Sequence, residues 1–97
     1  MLKVTVQEEK DSVTLKIEGR VVDSVIGALH QAWREVKSYI GSRKLLVDLR
    51  GVTYMDRTAR NFLAAIHAET GAEFEANTPM TKYFAEEALR PTPINSR

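Results

Sequence analysis

The middle of the chain contains a short, almost continuously apolar run, Leu45-Leu46-Val47-Asp48-Leu49. Such a run is typical of a strand in the middle of a sheet, covered on both faces. Apolar residues at helical spacing come before and after it, over 24–40 and 57–70. A buried strand between two amphipathic helices indicates an α/β domain in which helical crossovers join parallel strands.

The other elements follow from changes in the apolar period. Alternating residues over 2–7 and 13–18 predict a hairpin of two half-buried strands, and 72–76 alternates like a short edge strand. Helices are predicted over 24–40, 57–70 and 79–89. The expected fold is a single α/β domain of order β-β-α-β-α-β-α, with a mixed, mostly parallel four-stranded sheet packed against three helices. We assign this domain to residues 1–90 and a flexible C-terminal tail to residues 91–97.

The helix ends and the core have their own sequence signals. Asp23 or Ser24 is the expected N-cap of the first helix, Asp56 caps the second, and Asn77-Thr78-Pro79 begins the third. Trp33, Leu29 and Phe62 are expected to be buried together. The aromatic residues favour core packing over a base-stacking platform, and the third helix has a predicted apolar stripe. This core set comprises Trp33, Tyr39, Phe62, Phe74 and Phe84, and the stripe comprises Met80, Phe84, Ala88 and Leu89.

Composition narrows the classes of function. The 97 residues carry a formal net charge of only +1, so no global field draws the chain to nucleic acid or to an anionic membrane surface. The chain has no cysteine, and no apolar stretch approaches the length of a membrane span. We therefore expect a cytoplasmic protein that neither binds nucleic acid nor inserts into a membrane.

Motifs for catalysis or cofactor binding are absent from the sequence. No glycine-rich phosphate loop follows any predicted strand, and His30 and His67 lie in separate helices without further ligands at metal-binding spacing. No serine has the glycine-flanked setting of a nucleophile. The sequence therefore predicts a protein that is not an enzyme and that holds no cofactor or metal.

Four arginines are placed by the predicted topology at one edge of the sheet. Arg20 and Arg50 follow the second and third predicted strands, and Arg57 and Arg60 lie in the first turn of the second helix. Cations at a helix N-terminus oppose the helix dipole, so they call for a compensating acid or an anionic partner. Asp56 is the nearest acid, and a capped helix with solvated arginines is the alternative interpretation.

The run from Leu45 to Ala59 resembles the signature of the STAS domain, named for sulphate transporters and anti-sigma factor antagonists. The similarity lies in a hydrophobic strand that ends in Asp48-Leu49-Arg50-Gly51-Val52 and is followed by Met55-Asp56. The order of elements matches this family from Val4 to about Leu89. Family members carry Asp-Ser-Ser-Gly or Asp-Ser-Thr-Gly where this chain has Asp56-Arg57-Thr58-Ala59, so Thr58 is the only hydroxyl left in the motif.

The resemblance implies a non-catalytic module for protein interaction. Its expected partner is a protein such as an anti-sigma factor with serine kinase activity, which would make the chain a signalling adaptor in transcription regulation. Alanine and arginine in the motif hinder the approach of a kinase, whereas a phosphate on Thr58 would sit favourably at a helix N-terminus. The sequence does not specify an oligomeric state. The residues expected to dock the partner are Asp56, Arg57, Thr58, Arg60, Asn61 and Ala64.

A second reading belongs to a different class of function. The edge formed by Arg20, Arg50, Arg57 and Arg60 would suit a small-anion or nucleotide-binding regulatory domain. Both readings use the start of the second helix.

Overall fold

The computed structural model describes residues 2–89. These residues contain one mixed four-stranded sheet. The strands are β1 (Leu2–Glu8), β2 (Ser12–Val21), β3 (Lys44–Met55) and β4 (Glu73–Glu75), and they lie side by side in chain order. β1 and β2 form an antiparallel hairpin, whereas β2, β3 and β4 are parallel. This architecture confirms the predicted fold. The flexible tail predicted for 91–97 lies outside the described residues.

The three helices are α1 (Ile26–Tyr39), α2 (Arg57–Thr70) and α3 (Pro79–Leu89). α2 begins after the N-cap Asp56 and ends at Gly71, whose φ of 72° is the left-handed conformation that glycine adopts at little cost. The start of α1 differs from the prediction. A 3₁₀ turn, Asp23–Val25, precedes α1, and neither it nor α1 has a side-chain cap.

The third strand is longer than the sequence indicated. It was expected to end at Leu49, and it continues to Met55, because Arg50-Gly51 forms an irregularity within the ladder and not a turn. Its pairing with β2 shifts register on either side of Gly51. Glu18 of β2 lies directly over this glycine, where a Cβ atom would come within 2.6 Å of the Glu18 Cγ atom. A side chain at position 51 would therefore force the Glu18 side chain to shift.

Substituting alanine at two glycines should have opposite effects on stability. Gly51→Ala should lower the free energy of unfolding by about 1–3 kcal/mol, because the new methyl group overpacks the Glu18 side chain. Gly27→Ala is the matched control, since nothing lies within 4 Å of the added Cβ in α1. It should raise stability by about 0.4–1 kcal/mol. Urea titration measures both, and equal effects of the two substitutions would disprove the close approach.

A single hydrophobic core lies between one face of the sheet and the helices. Trp33 is 7% exposed, Leu29 is fully buried and Phe62 is 9% exposed, so the predicted burial of these residues is confirmed. The predicted stripe of α3 is partly wrong. Met80 and Leu89 are exposed, and the buried face consists of Thr81, Phe84, Ala85 and Ala88. Tyr39, predicted in the core, is also exposed.

Candidate functional site

Asp56 organises the surface at the carboxyl ends of β2 and β3. Its Oδ1 atom accepts a hydrogen bond from the Ala59 N–H at 3.0 Å, which caps α2 as the sequence predicted. Its Oδ2 atom accepts the Asp23 N–H at 2.8 Å. The Asp56 N–H in turn donates to the Val21 carbonyl at 3.1 Å. One carboxylate therefore connects the start of α2 with the turn that leads into α1.

These hydrogen bonds hold the pKa of Asp56 below its ordinary value. The bond from the Ala59 N–H has the largest effect, and the Asp23 N–H and the charge of Arg60 act in the same direction. Asp56 is therefore ionised at neutral pH and offsets the cations at the start of α2.

Next to Asp56, Arg20 and Tyr54 form an exposed stacked pair. The Arg20 guanidinium lies 5.1 Å from the centre of the Tyr54 ring, a cation–π arrangement, and Tyr54 is 43% exposed. The Tyr54 ring meets Phe84 of α3 edge-on at 6.4 Å, and Tyr83, itself 51% exposed, is 5.8 Å from Phe84. A buried phenylalanine thus supports two exposed tyrosines.

We call this region the carboxyl-edge surface. It consists of side chains that are exposed or half-buried around the start of α2 and the end of β3. Its members are Arg20, Tyr54, Asp56, Arg57, Thr58, Arg60, Asn61 and Tyr83.

The four arginines singled out in the sequence do not form one cluster. Arg20 stacks on Tyr54, Arg57 is exposed in the first turn of α2, and the Arg60 Nη1 atom donates to the Met55 carbonyl at 3.0 Å. Arg50 lies within β3, where its Nε and Nη2 atoms donate to the two Asp48 oxygens at 3.0 and 2.9 Å. The extension of β3 beyond Leu49 places Arg50 on the open face of the sheet, away from the helix start.

Asp48 is a buried carboxylate, only 3% exposed. The side-chain hydrogen bond from Arg50 lowers its pKa more than burial raises it, and the Arg50 N–H and the charge of Lys16 lower it further. A shallow depression beside this ion pair is lined by Lys16, Glu18, Asp48, Arg50, Gly51 and Asn77. The Asp48–Arg50 ion pair therefore forms one side of this depression on the open face of the sheet.

Acid should weaken the fold through these two carboxylates. A carboxyl with a lowered native pKa stabilises the fold above its ordinary pKa, and it loses this contribution as the pH falls through the native pKa. Asp48→Asn should therefore be less stable than the wild type at pH 7, and the difference should narrow below the ordinary value of 3.8. Urea titrations between pH 7 and pH 2 measure it. A difference that does not change with pH would contradict the ion pair.

The remaining predicted docking residues lie on α2. Thr58 and Ala64 are half-buried, and Asn61 is exposed. Asn61 and Ala64 are one turn apart, so they share a helix face. The sequence did not single out Tyr54 and Tyr83. Tyr54 lay beyond the predicted end of β3. Tyr83 falls outside the predicted apolar stripe of α3, and no other sequence pattern marked it.

Within residues 2–89, no helix is long and apolar enough to cross a membrane. The same residues contain no group of three or more histidine, cysteine or acidic side chains that could hold a metal ion.

Comparison with known proteins identifies the fold. No family model matches the sequence, and no curated protein is significantly similar to it. A crystal structure of Mglu aligns with 77% of this chain at a TM-score of 0.59 and 23% identity, and the match spans only 19% of that Mglu chain. An uncharacterized protein of the DUF3478 family from Shewanella loihica PV-4, with a SpoIIAA-like fold, aligns with 84% of this chain and 72% of its own at a TM-score of 0.53 and 9% identity.

These similarities concern the fold. The SpoIIAA-like fold is the STAS fold, so the resemblance noted in the run from Leu45 to Ala59 is confirmed at the level of the structure. The chain thus has a SpoIIAA-like fold.

Proposed function

We propose that this chain is a non-catalytic protein-interaction module that docks its partner through the carboxyl-edge surface. The observation that carries this proposal is the exposed Arg20–Tyr54 pair beside the capped start of α2. Tyrosine and arginine are enriched among the residues that dominate binding energy at protein interfaces. Here both belong to a rigid support, because Tyr54 is in a strand and packs against Phe84.

The charges of the surface favour a partner with an acidic patch. Arg20 and Arg57 are exposed, whereas the Asp56 carboxylate accepts hydrogen bonds from two backbone N–H groups. The two arginines are therefore available to a partner, and the Asp56 carboxylate is already engaged. Complementary charge would guide the encounter and fix its orientation.

The proposed class of partner is the one that the resemblance to the STAS family implies. A protein such as an anti-sigma factor with serine kinase activity is the candidate, which would place the chain in cytoplasmic signalling and transcription regulation. Thr58 would then be the phosphate acceptor, since it lies in the first turn of α2 between Arg57 and Arg60.

The experiment starts from a pull-down with the whole chain, and calorimetry then compares variants against the captured partner. Tyr54→Ala and Arg20→Glu should each weaken binding by at least about tenfold, as expected for residues at the centre of an interface. Lys10→Glu is the matched control, because it reverses an exposed charge in the hairpin turn at the opposite end of the sheet. It should bind like the wild type.

The alternative function is tested in the same series. If Tyr54→Ala and Arg20→Glu bind the partner as tightly as the wild type, the carboxyl-edge surface is not the interface. Calorimetry with nucleotides and inorganic phosphate then examines the small-anion reading. If the wild type binds one of these anions and Arg57→Glu does not, the anion-binding interpretation would be favoured over protein docking.

A further inference from the structure

The outer edge of β1 is long and regular, and its charged side chains are Lys3 on the open face and Glu8 at its end. β1 has seven residues and pairs with β2 on one side only. It contains no proline or glycine, and its register with β2 is continuous from Leu2 to Glu8. Natural edge strands are usually short, bulged or interrupted by proline or inward charge, because a free edge invites pairing with another chain.

The opposite edge of the sheet shows such protection. β4 has only three residues, Glu73–Glu75, and two of them are glutamates on the open face. Glu73 forms an ion pair with Lys44 at 2.8 Å. Of the two edges of the described sheet, that of β1 offers the longer and more regular ladder.

The direction of the backbone groups along β1 follows from the hairpin. The Glu9 N–H donates to the Ser12 carbonyl at 2.8 Å, so Glu9 and Ser12 are a hydrogen-bonded pair. Such pairs alternate with non-hydrogen-bonded pairs along an antiparallel ladder. The bonds to β2 are therefore made at odd positions. The N–H and C=O groups that point to the outer edge belong to Leu2, Val4, Val6 and Glu8.

The side chains of β1 can pair with themselves. On the open face Lys3, Thr5 and Gln7 are exposed, and on the helix face Leu2, Val4 and Val6 are half-buried. A two-fold axis at Thr5 would use all seven residues. It would place Thr5 opposite Thr5, Lys3 opposite Gln7, Val4 opposite Val6 and Leu2 opposite Glu8.

We propose that two copies of this chain pair antiparallel through β1 about a two-fold axis at Thr5, which joins the two sheets into one of eight strands. In this register no like charges face each other, and the outward backbone groups of the even positions meet those of the second copy. Facing threonines and facing β-branched residues are favourable cross-strand pairs. A shift by one residue would set the apolar face of one strand against the polar face of the other.

The two neighbouring registers that keep the same faces together pair fewer residues of β1. An axis at Val4 leaves Gln7 and Glu8 without a partner, and an axis at Val6 leaves Leu2 and Lys3 without one. Glu8 remains compatible with the Thr5 axis, because its carboxylate is directed to Arg43 at 3.1 Å. The net charge of +1 per copy opposes association only weakly. None of the residues of the carboxyl-edge surface belongs to β1.

The test uses charge at the axis. Sedimentation of the full chain should show a dimer of twice the 10.9 kDa chain mass that dissociates on dilution. Thr5→Lys and Thr5→Glu should each weaken self-association by at least about tenfold, since they place like charges directly opposite each other. An equimolar mixture of the two should form the heterodimer. Thr53→Lys is the control at an exposed position in β3 and should dimerise like the wild type.

A cysteine tests the register independently. Facing residues at odd positions form non-hydrogen-bonded pairs, with Cα atoms about 4.5 Å apart, within the range for a disulfide. Because the chain has no cysteine, Thr5→Cys should form a single disulfide-linked dimer under mild oxidation, whereas Thr53→Cys should not. Circular dichroism verifies that the variants are folded.

Three results would overturn the proposal. The first is a wild type that stays monomeric up to roughly 1 mM. The second is a Thr5→Lys variant that dimerises as well as the wild type while the Thr5→Cys variant fails to cross-link. The third is a mixture of the two charged variants that stays monomeric.

Discussion

Replacing Trp33 by alanine should remove about 3–5 kcal/mol from the free energy of unfolding. Trp33 lies in α1, is 7% exposed and belongs to the core between the helices and the sheet. Its removal would leave a cavity in this core, which the strands cannot close because their ladders fix them. Guanidinium or urea titration measures the loss.

Tyr39→Ala is the matched control for this substitution. Tyr39 is an aromatic residue on the same helix, but it is 39% exposed, and its ring lies 5.9 Å from the Arg43 guanidinium. Its loss should cost less than about 1 kcal/mol, because solvent fills the vacated space. A Trp33→Ala variant that also loses less than about 1 kcal/mol would show that the core does not depend on this ring.

Thr58→Glu should weaken partner binding by at least about tenfold, or about 1.4 kcal/mol, while the melting temperature barely moves. The added carboxylate lies in the first turn of α2, where the helix dipole favours negative charge. The fold therefore tolerates it. The same charge reduces the positive character that Arg57 and Arg60 give to the carboxyl-edge surface, so binding responds and folding does not.

Two further variants separate charge from the hydroxyl group. Thr58→Val removes the hydroxyl at nearly constant shape and should bind like the wild type if charge is decisive. Arg57→Glu should weaken binding in the same direction as Thr58→Glu. Calorimetry with the captured partner measures all three, and equal affinities for wild type, Thr58→Glu and Arg57→Glu would place the interface elsewhere.

The sequence predicted α2 and α3 over the same residues as the structure, because both helices have strong local boundary signals. Asp56 and Gly71 delimit α2, and Thr78 with Pro79 starts α3. In the structure the Thr81 N–H donates to the Thr78 hydroxyl at 3.0 Å. Local hydrogen bonds of this kind are encoded within a few residues, so sequence reasoning can find them.

The errors concern contacts between distant segments. Arg50-Gly51 looks like a turn in sequence, yet pairing with β2 continues through it. Gly51 pairs with Glu18, which is far away in the chain. Likewise, nothing near Asp23 indicates that its N–H bonds to a carboxylate 33 positions later. The arginine edge was predicted on the assumption that β3 ends at Leu49. Because β3 continues to Met55, Arg50 lies within the strand and not at this edge.

Only part of the candidate site could be predicted from the sequence. The start of α2 and its Asp56 cap were inferred correctly from the capping pattern. Tyr54 and Tyr83 were missed because exposure of an aromatic side chain depends on how α3 packs, and periodicity cannot distinguish an exposed tyrosine from a buried one.

The hydrogen bond from the Asp23 N–H to Asp56 makes one amide a remote reporter of the site. This amide lies in the turn before α1, outside the segment that carries Thr58, yet its acceptor is the carboxylate that caps α2. Any event that rotates or protonates this carboxylate should change the chemical shift and the hydrogen-exchange rate of the Asp23 amide. Nuclear magnetic resonance could therefore detect binding at the carboxyl-edge surface through the Asp23 amide, which lies outside the residues substituted in the binding tests.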